Sequence, residues 1–110
     1  MSARYSVKPK ADHDLDEYAD YLAEQASFEV AFRFLDSARS TLELLAEQPN
    51  IGWSSRLRLN SLRSLRVFRV NGFEKMLILY RPLTDRIDVL RVVHGSRNLQ
   101  ALFRRRDGIE

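Results

Sequence analysis

Apolar residues recur at steps of three and four along two consecutive stretches near the start of the chain, a spacing typical of amphipathic helices. The first stretch runs from about Lys10 to Gln25. Its apolar positions are Leu15, Tyr18, Leu22 and Ala26. A short strand is expected before it, around Tyr5 to Lys8, and ends at Pro9 because proline cannot continue the hydrogen bonding of a strand.

The second stretch begins at Ser27, whose hydroxyl is suited to cap a helix, and keeps the helical period until Gln48. Pro49 and Gly52 then end the helix. Its apolar positions are Phe28, Ala31, Phe32, Leu35, Ala38, Leu42 and Leu45. Because one or two residues connect the two helices, the pattern predicts an antiparallel helical hairpin.

After Trp53 the pattern changes to shorter runs rich in apolar and β-branched residues, which indicate strands. The predicted strands are Ser61 to Val70, Glu74 to Tyr80 and Ile87 to His94. Asn71-Gly72 is a strong hairpin signal between the first two, and Pro82 to Asp85 provides the next turn. The tail from Asn98 to Arg106 allows a short final helix.

This order predicts an α+β fold: an N-terminal strand, a helical hairpin and a three-stranded antiparallel sheet (βααβββ), with both helices on one sheet face. The other face, or one edge, is expected to stay available. A length of 110 residues suits one small domain.

Composition excludes several classes of site. The chain has no Cys and only two His, His13 and His94, which excludes disulfide scaffolds and thiolate zinc sites and argues against any metal site. No apolar run approaches the length of a signal peptide or a membrane span. We therefore expect a cytoplasmic protein that has no cofactor and no bound metal and does not contact a membrane.

Charge is distributed unevenly along the chain. Residues 1–50 carry 5 Lys or Arg against 10 Asp or Glu, and residues 51–110 carry 13 against 5, so the halves have net charges of −5 and +8. Of the 18 basic residues 15 are Arg, whose guanidinium groups bind carboxylates and phosphates through two parallel hydrogen bonds. The second half therefore suits an anionic partner, unless its cations pair with the acidic first helix.

Two groups of polar residues are candidates for binding. One is a series of arginines, Arg56, Arg58, Arg63, Arg66 and Arg69. Alternation along a strand puts Arg63 and Arg69 on one face and Arg66 on the other, so a solvated sheet face explains them as well as a binding role does. The other is the end of the last strand, where Arg91, His94 and Arg97 surround Gly95; His94 is either a structural hydrogen-bonding residue or an acid or base.

Three segments of the chain resemble the ParE branch of the RelE/ParE toxin superfamily. They are Leu79-Tyr80-Arg81, the run from Ile87 to Leu99 that contains Arg-Val-Val-His-Gly-Ser-Arg-Asn, and the start of the chain from Val7 to Leu22. Leu44-Leu45-Ala46-Glu47-Gln48-Pro49 with Gly52 resembles the end of that family's second helix. The resemblance covers nearly the whole chain.

This resemblance implies the toxin of a bacterial type II toxin–antitoxin pair, neutralised by direct binding of a ParD-like antitoxin and acting on DNA gyrase. Operator DNA would be reached only through the antitoxin. The toxicity candidates are Arg91, His94, Arg97, Arg104 and Arg105. The antitoxin candidates are the aromatic residues Tyr21, Phe28 and Phe32, of which at least one is expected to be buried, and the arginines Arg63, Arg66 and Arg69.

The RelE branch, whose members cleave mRNA on the ribosome, is the main alternative. Those ribonucleases place an Arg where this chain has Leu77 and a Tyr where it has Phe103, and phenylalanine cannot donate a proton. Arg97 does match a basic residue of those enzymes. The chain is therefore expected to act by binding rather than by catalysis, with a plain nucleic-acid binding module as a third possibility.

Overall fold

The structure is a computed structural model that describes residues 4–54 and 65–96. Its elements are β1 (Tyr5–Val7), α1 (Pro9–Gln25), α2 (Phe28–Glu47), β2 (Trp53–Ser54), β3 (Arg66–Val70), β4 (Phe73–Pro82) and β5 (Ile87–His94). The α+β order predicted from the sequence is confirmed. Residues 61–64 of the first predicted sheet strand and the predicted final helix lie outside the described residues.

The two helices begin at the residues that the sequence indicated. Pro9 occupies the first turn of α1, where its missing N–H costs no hydrogen bond, and Asp12 places a negative charge near the positive end of the helix dipole. Ser27 caps α2 by accepting a hydrogen bond at Oγ from the Val30 N–H, at 3.1 Å. Since only Ala26 and Ser27 separate the helices, they fold back and pack against each other.

The sheet is larger and more mixed than expected. Its five strands lie in the order β1-β5-β4-β3-β2, and β3, β4 and β5 form the predicted antiparallel ladder. β1 adds to it in parallel with β5, with Tyr5 opposite Ile87. β2 forms the other edge, with Trp53 opposite Val67. The prediction of a three-stranded sheet was incomplete: the N-terminal strand was expected, but its pairing with the distant β5 was not, and β2 is too short, at two residues, to show an alternating pattern.

The hairpin between β3 and β4 forms at the predicted dipeptide. Gly72 has φ +81°, in the left-handed region that a residue with a side chain rarely adopts. The turn is held to α2 because the Asn71 N–H donates to the hydroxyl of buried Thr41, at 3.2 Å. The helical hairpin therefore fixes the position of the strand turn.

The main core lies between the helices and one face of the sheet. Phe34 is completely buried at its centre and makes edge-to-face contacts with Tyr18 and Phe73, with ring centroids 4.9 Å and 5.3 Å away. Phe28 and Phe32 are 73% and 65% exposed. The prediction that Phe28 and Phe32 belong to the regular apolar face of α2 was therefore wrong, and Phe34 is the large aromatic residue of that face.

The second face of the sheet is also apolar. Six buried side chains lie outside the helix-side core, on strands where they alternate with residues of that core. They are Leu65, Val67, Leu77, Leu79, Leu90 and Val93. The expectation that this face stays open is therefore wrong for its centre, since a buried apolar layer offers no free polar surface. Within the described residues, neither helix is long and apolar enough to cross a membrane.

Phe34 and Phe32 provide a matched test of this core. We expect Phe34→Ala to lower the free energy of unfolding by about 3–5 kcal/mol, because it leaves a cavity between the helices and the sheet. Phe32→Ala should change it by less than about 0.5 kcal/mol, because the ring is already in solvent. Urea denaturation of both variants measures the difference, and equal losses would contradict the assignment of the core face.

Candidate interaction surfaces

An ion pair between α1 and β5 anchors the surface around the end of β5. Arg91 donates from Nε to Oδ2 of Asp14 at 2.7 Å and from Nη2 to Oδ1 at 2.9 Å. The Val92 N–H donates to the same Oδ2 at 2.9 Å. Both side chains are about nine-tenths buried, so this is a two-bond guanidinium–carboxylate pair in a partly desolvated position, the strongest type of such pair.

This placement defines what Arg91 can contribute to binding. Its guanidinium is held by Asp14, and the residue as a whole is 7% exposed. Arg91 therefore positions the end of β5, and the carboxylate of Asp14 balances its charge. Among the described arginines of the second half, it is also the one that forms an ion pair with the acidic helix α1, so the two halves do not neutralise each other throughout.

A cleft of about 620 Å³ lies between α1 and the ends of β4 and β5. Tyr21 and His13 line it from α1, Met76 and Lys75 from β4, and His94 from β5, together with the Asp14–Arg91 pair. Tyr21 stacks on Tyr18 with ring centroids 5.7 Å apart. The lining mixes charged and polar groups with aromatic and apolar ones, so it suits a partner segment that carries both kinds of side chain.

His94 enters this cleft with a defined tautomer. The Ser96 N–H donates to Nδ1 of His94 at 3.1 Å, and the Ser96 hydroxyl lies 2.7 Å from the same nitrogen. A backbone N–H can only donate, so Nδ1 accepts and the proton of the neutral ring is on Nε2. In this state the exposed ring offers a hydrogen-bond donor to a partner, but Nε2 cannot accept a proton.

A second candidate surface lies at the opposite edge of the sheet, around β2. Trp53 is 44% exposed, and the guanidinium of Arg69 lies 5.0 Å from the centroid of its ring, within cation–π range. Arg66 donates from Nη1 to the carbonyl oxygens of Gly52 and Asn50, at 2.6 and 3.3 Å. Arg69 is therefore presented to solvent on an aromatic platform, whereas Arg66 is partly used to hold the preceding loop.

Tyr80 fixes that loop from inside the sheet. Its buried hydroxyl donates to the Pro49 carbonyl at 2.7 Å and accepts from the Gly52 N–H at 3.1 Å. Gly52 is required here, because a β-carbon would overlap the Tyr80 hydroxyl. Burial raises the pKa of Tyr80 above its usual 10.0, although the hydrogen bond from Gly52 and the charge of Arg66 act in the opposite direction.

The three aromatic candidates for antitoxin binding are all on the surface. Tyr21, Phe28 and Phe32 are 55%, 73% and 65% exposed, so the expectation that at least one is buried was wrong. Tyr21 belongs to the cleft beside His94, whereas Phe28 and Phe32 are one turn apart on α2 and do not line that cleft. Large exposed aromatic side chains in this number are unusual for a surface that stays in water.

Four candidates, Arg63, Arg97, Arg104 and Arg105, lie outside the described residues. Sequence reasoning missed Asp14, Trp53 and Tyr80 as positioning groups. Asp14 was visible only as one of several acidic residues early in α1, and its partner is 77 positions away. Within residues 4–54 and 65–96, no three His, Asp or Glu side chains converge as metal ligands would.

Comparison with known proteins gives one family. A family model described as the ParE toxin of a type II toxin–antitoxin system, parDE, matches residues 5–99. No curated protein sequence matches significantly. The solved structure titled "Chromosomal ParDE TA system from P. aeruginosa" has a TM-score of 0.68 at 17% identity, and the match covers 84% of this chain and 96% of that one. At this identity the structural match supports the fold alone.

The Asp14–Arg91 pair can be tested by exchanging one partner and then both. Arg91→Leu leaves a buried carboxylate without its cation, and we expect the free energy of unfolding to fall by about 3–5 kcal/mol. Adding Asp14→Asn removes the stranded charge and keeps an acceptor for the Val92 N–H, so the double variant should be more stable than the single one in urea denaturation. Arg39→Leu, which breaks an exposed pair with Asp36, is the control and should have little effect.

Tyr80→Phe tests the hydroxyl that holds the loop. At pH 7 we expect a loss of about 1–3 kcal/mol, because the Gly52 N–H and the Pro49 carbonyl lose their partner. Because the pKa of Tyr80 is raised in the folded state, its contribution to stability is complete below pH 10 and falls as the pH rises from there toward the folded pKa. The variant should therefore lose less stability than wild type between pH 9 and 11 in urea titrations; parallel losses would contradict the assignment.

Proposed function

Since the chain belongs to the ParE toxin family of type II toxin–antitoxin systems, we propose that it arrests growth in the cytoplasm by inhibiting DNA gyrase, and that a ParD-like antitoxin neutralises it by direct binding. The family match supports the assignment as a toxin. The cleft between α1 and β5 supports a direct relation between target binding and neutralisation by the antitoxin. One observation carries this relation: Tyr21, an antitoxin candidate, lines the same cleft as the toxicity candidates Arg91 and His94.

This common cleft favours neutralisation by occlusion. A partner segment that packs on the exposed ring of Tyr21 covers the Nε2 donor of His94, so the toxin cannot present that donor to its target at the same time. No change in the shape of the toxin is required. The buried Asp14–Arg91 pair keeps both walls of the cleft together, so the occluded surface is preformed.

The target surface of this proposal consists of His94, with Arg91 as the residue that positions it; Arg97, Arg104 and Arg105, outside the described residues, are its further candidates. His94 donates a hydrogen bond from Nε2, and the arginines provide charge toward a phosphate or a carboxylate. Neither role forms or breaks a bond. This agrees with a toxin that acts by holding its target.

Antitoxin recognition extends beyond the cleft. Phe28 and Phe32, one turn apart on α2, provide an apolar strip for an amphipathic partner helix. Arg69 on its Trp53 platform, together with Arg66, receives acidic side chains at the far edge of the sheet, and Arg63, outside the described residues, is a further candidate for this role. A disordered antitoxin segment that folds on binding can span both areas, and operator DNA is reached only through the antitoxin.

The mRNA-cleaving alternative finds no support in the described residues. Leu77, at the position where those ribonucleases have an arginine, is an apolar side chain that is 9% exposed. The tautomer of His94 leaves no lone pair on Nε2 to act as a general base.

Expression of the chain with and without the product of its neighbouring gene tests the proposal. We expect growth arrest in which DNA synthesis stops before protein synthesis, and relief when the neighbouring product is co-expressed. In vitro, the purified chain should inhibit supercoiling by gyrase. Protein synthesis stopping first, with ribosome-dependent mRNA cleavage, would favour the alternative and contradict gyrase as the target.

The same assay separates the two surfaces. His94→Ala should reduce growth arrest, while Phe28→Ser with Phe32→Ser should leave arrest intact but reduce relief by the antitoxin. Because both rings are exposed, these substitutions should not lower stability. Relief equal to that of wild type would remove the α2 aromatic strip from the interface.

A further inference from the structure

Arg81 is a half-buried arginine whose hydrogen-bonding groups are not used. It lies near the end of β4, directly opposite Asp88 on β5. Its Nε is shut off from solvent and has no hydrogen-bond partner, and the side chain makes no hydrogen bond or ion pair in residues 4–54 and 65–96. A guanidinium group can donate five hydrogen bonds. Because Nε is closed to solvent, the donors that a partner can reach are those of the two terminal nitrogens.

The other arginines of the described chain do not share this state. Among the described arginines, Arg66 and Arg81 are partly buried and Arg91 is buried. Arg91 is paired with Asp14, and Arg66 donates to two loop carbonyls. Arg81 is thus the partly buried arginine that the described residues leave without a partner.

The carboxylate nearest to Arg81 along the sheet ladder is already occupied. Asp88 is 3% exposed, and its Oδ1 accepts from Nε of Arg86 at 3.1 Å, while its Oδ2 lies 3.8 Å from Nζ of Lys8. Arg86 also contacts the exposed carboxylate of Asp85, at 3.4 Å. The cluster contains three cations and two carboxylates, so it has one positive charge more than the chain itself neutralises.

We propose that Arg81 is a docking site for one carboxylate of an acidic peptide segment in a partner protein, through the paired hydrogen bonds that a guanidinium makes to a carboxylate. The proposal rests on the proposed function, since the antitoxin is the partner that supplies such a segment. It adds a third contact area, distinct from the α1–β5 cleft and from the Trp53 edge.

The composition of the cluster favours a peptide over nucleic acid. A nucleic-acid backbone presents closely spaced phosphates, and its binding depends on neutralising several of them. Asp85 and Asp88 would repel those phosphates, and one excess positive charge can neutralise only one. Leu83, which follows Arg81 by two residues and is 37% exposed, offers an apolar contact that suits a peptide side chain.

The test uses defined probes and the purified full chain. The probes are an eight-residue peptide that carries one Glu and one Leu among Ala and Ser residues, the same peptide with Gln in place of Glu, and an eight-residue oligodeoxythymidylate. NMR of the arginine Nε–H groups reports on Arg81 directly in the wild-type chain. We expect the Glu peptide to shift the Arg81 signal at lower concentration than either of the other probes.

The variants are Arg81→Gln, Arg81→Lys and the matched control Arg39→Gln, which removes one exposed arginine from α2. Arg81→Gln should weaken binding of the Glu peptide at least tenfold and flatten its salt dependence, Arg81→Lys should recover part of the affinity, and Arg39→Gln should stay within twofold of wild type. Because Arg81 makes no hydrogen bond in the described residues, its variants should melt at the wild-type temperature. If they do not fold, the NMR titration of the wild-type chain decides.

Three outcomes would overturn the proposal: no shift of the Arg81 signal with the Glu peptide, equal affinity of Arg81→Gln and wild type, or a stronger response to the oligonucleotide. None of these depends on gyrase or on growth arrest. A chain that binds the Glu peptide through Arg81 but does not arrest growth would contradict the proposed function and leave the docking site intact.

Discussion

The buried pair between Asp14 and Arg91 is the interaction on which the arrangement of the candidate surfaces depends. It joins the first helix to the last described strand with two hydrogen bonds of 2.7 and 2.9 Å and a third from the Val92 backbone. Desolvating both charges is costly, and the pair is stable only because its geometry satisfies them. An apolar contact at this position could slide, whereas a bidentate pair fixes the position and orientation of α1 over β5. The cleft between them is therefore built before any partner arrives.

The sequence predicted the features that depend on neighbouring residues. The helical period and the Ser27 cap located both helices, Asn71-Gly72 located the hairpin, and the β-branched run located β5. Pairing between distant segments left no such signal: β1 joins β5 across the entire helical hairpin. The wrong prediction that Phe28 and Phe32 belong to the buried face of α2 has a geometric cause. Phe28 and Phe32 follow the i, i+4 spacing, but at 3.6 residues per turn Phe32 lies about 120° from the middle of the face shared by Phe34, Ala38 and Leu42.

The candidate site was predictable in its parts but not in its combination. The motif around His94 and the aromatic residue Tyr21 were both recognised, as members of two separate surfaces. Their common cleft arises because α1 lies over β5, a contact between residues more than 70 positions apart that periodicity cannot reveal. Arg81 was read as part of a family motif, and only the cross-strand register with Asp88 shows that its own sheet offers it no carboxylate.

Net charge alone overstates the docking surface of the second half. The net charge of +8 counts every arginine of residues 51–110 as available to a partner. Of the five arginines that the structure describes there, however, three bind other groups of the fold. Arg91 holds α1, Arg86 holds Asp88 and Asp85, and Arg66 holds the loop before β2. Arg69 and Arg81 make no ion pair within the described ranges; the Trp53 ring lies 5.0 Å from Arg69, and the exposed Leu83 follows Arg81 by two residues. A cation close to an apolar group suits acidic peptides that also carry apolar residues, so we expect these two positions, more than the total charge, to determine which partner the second half binds.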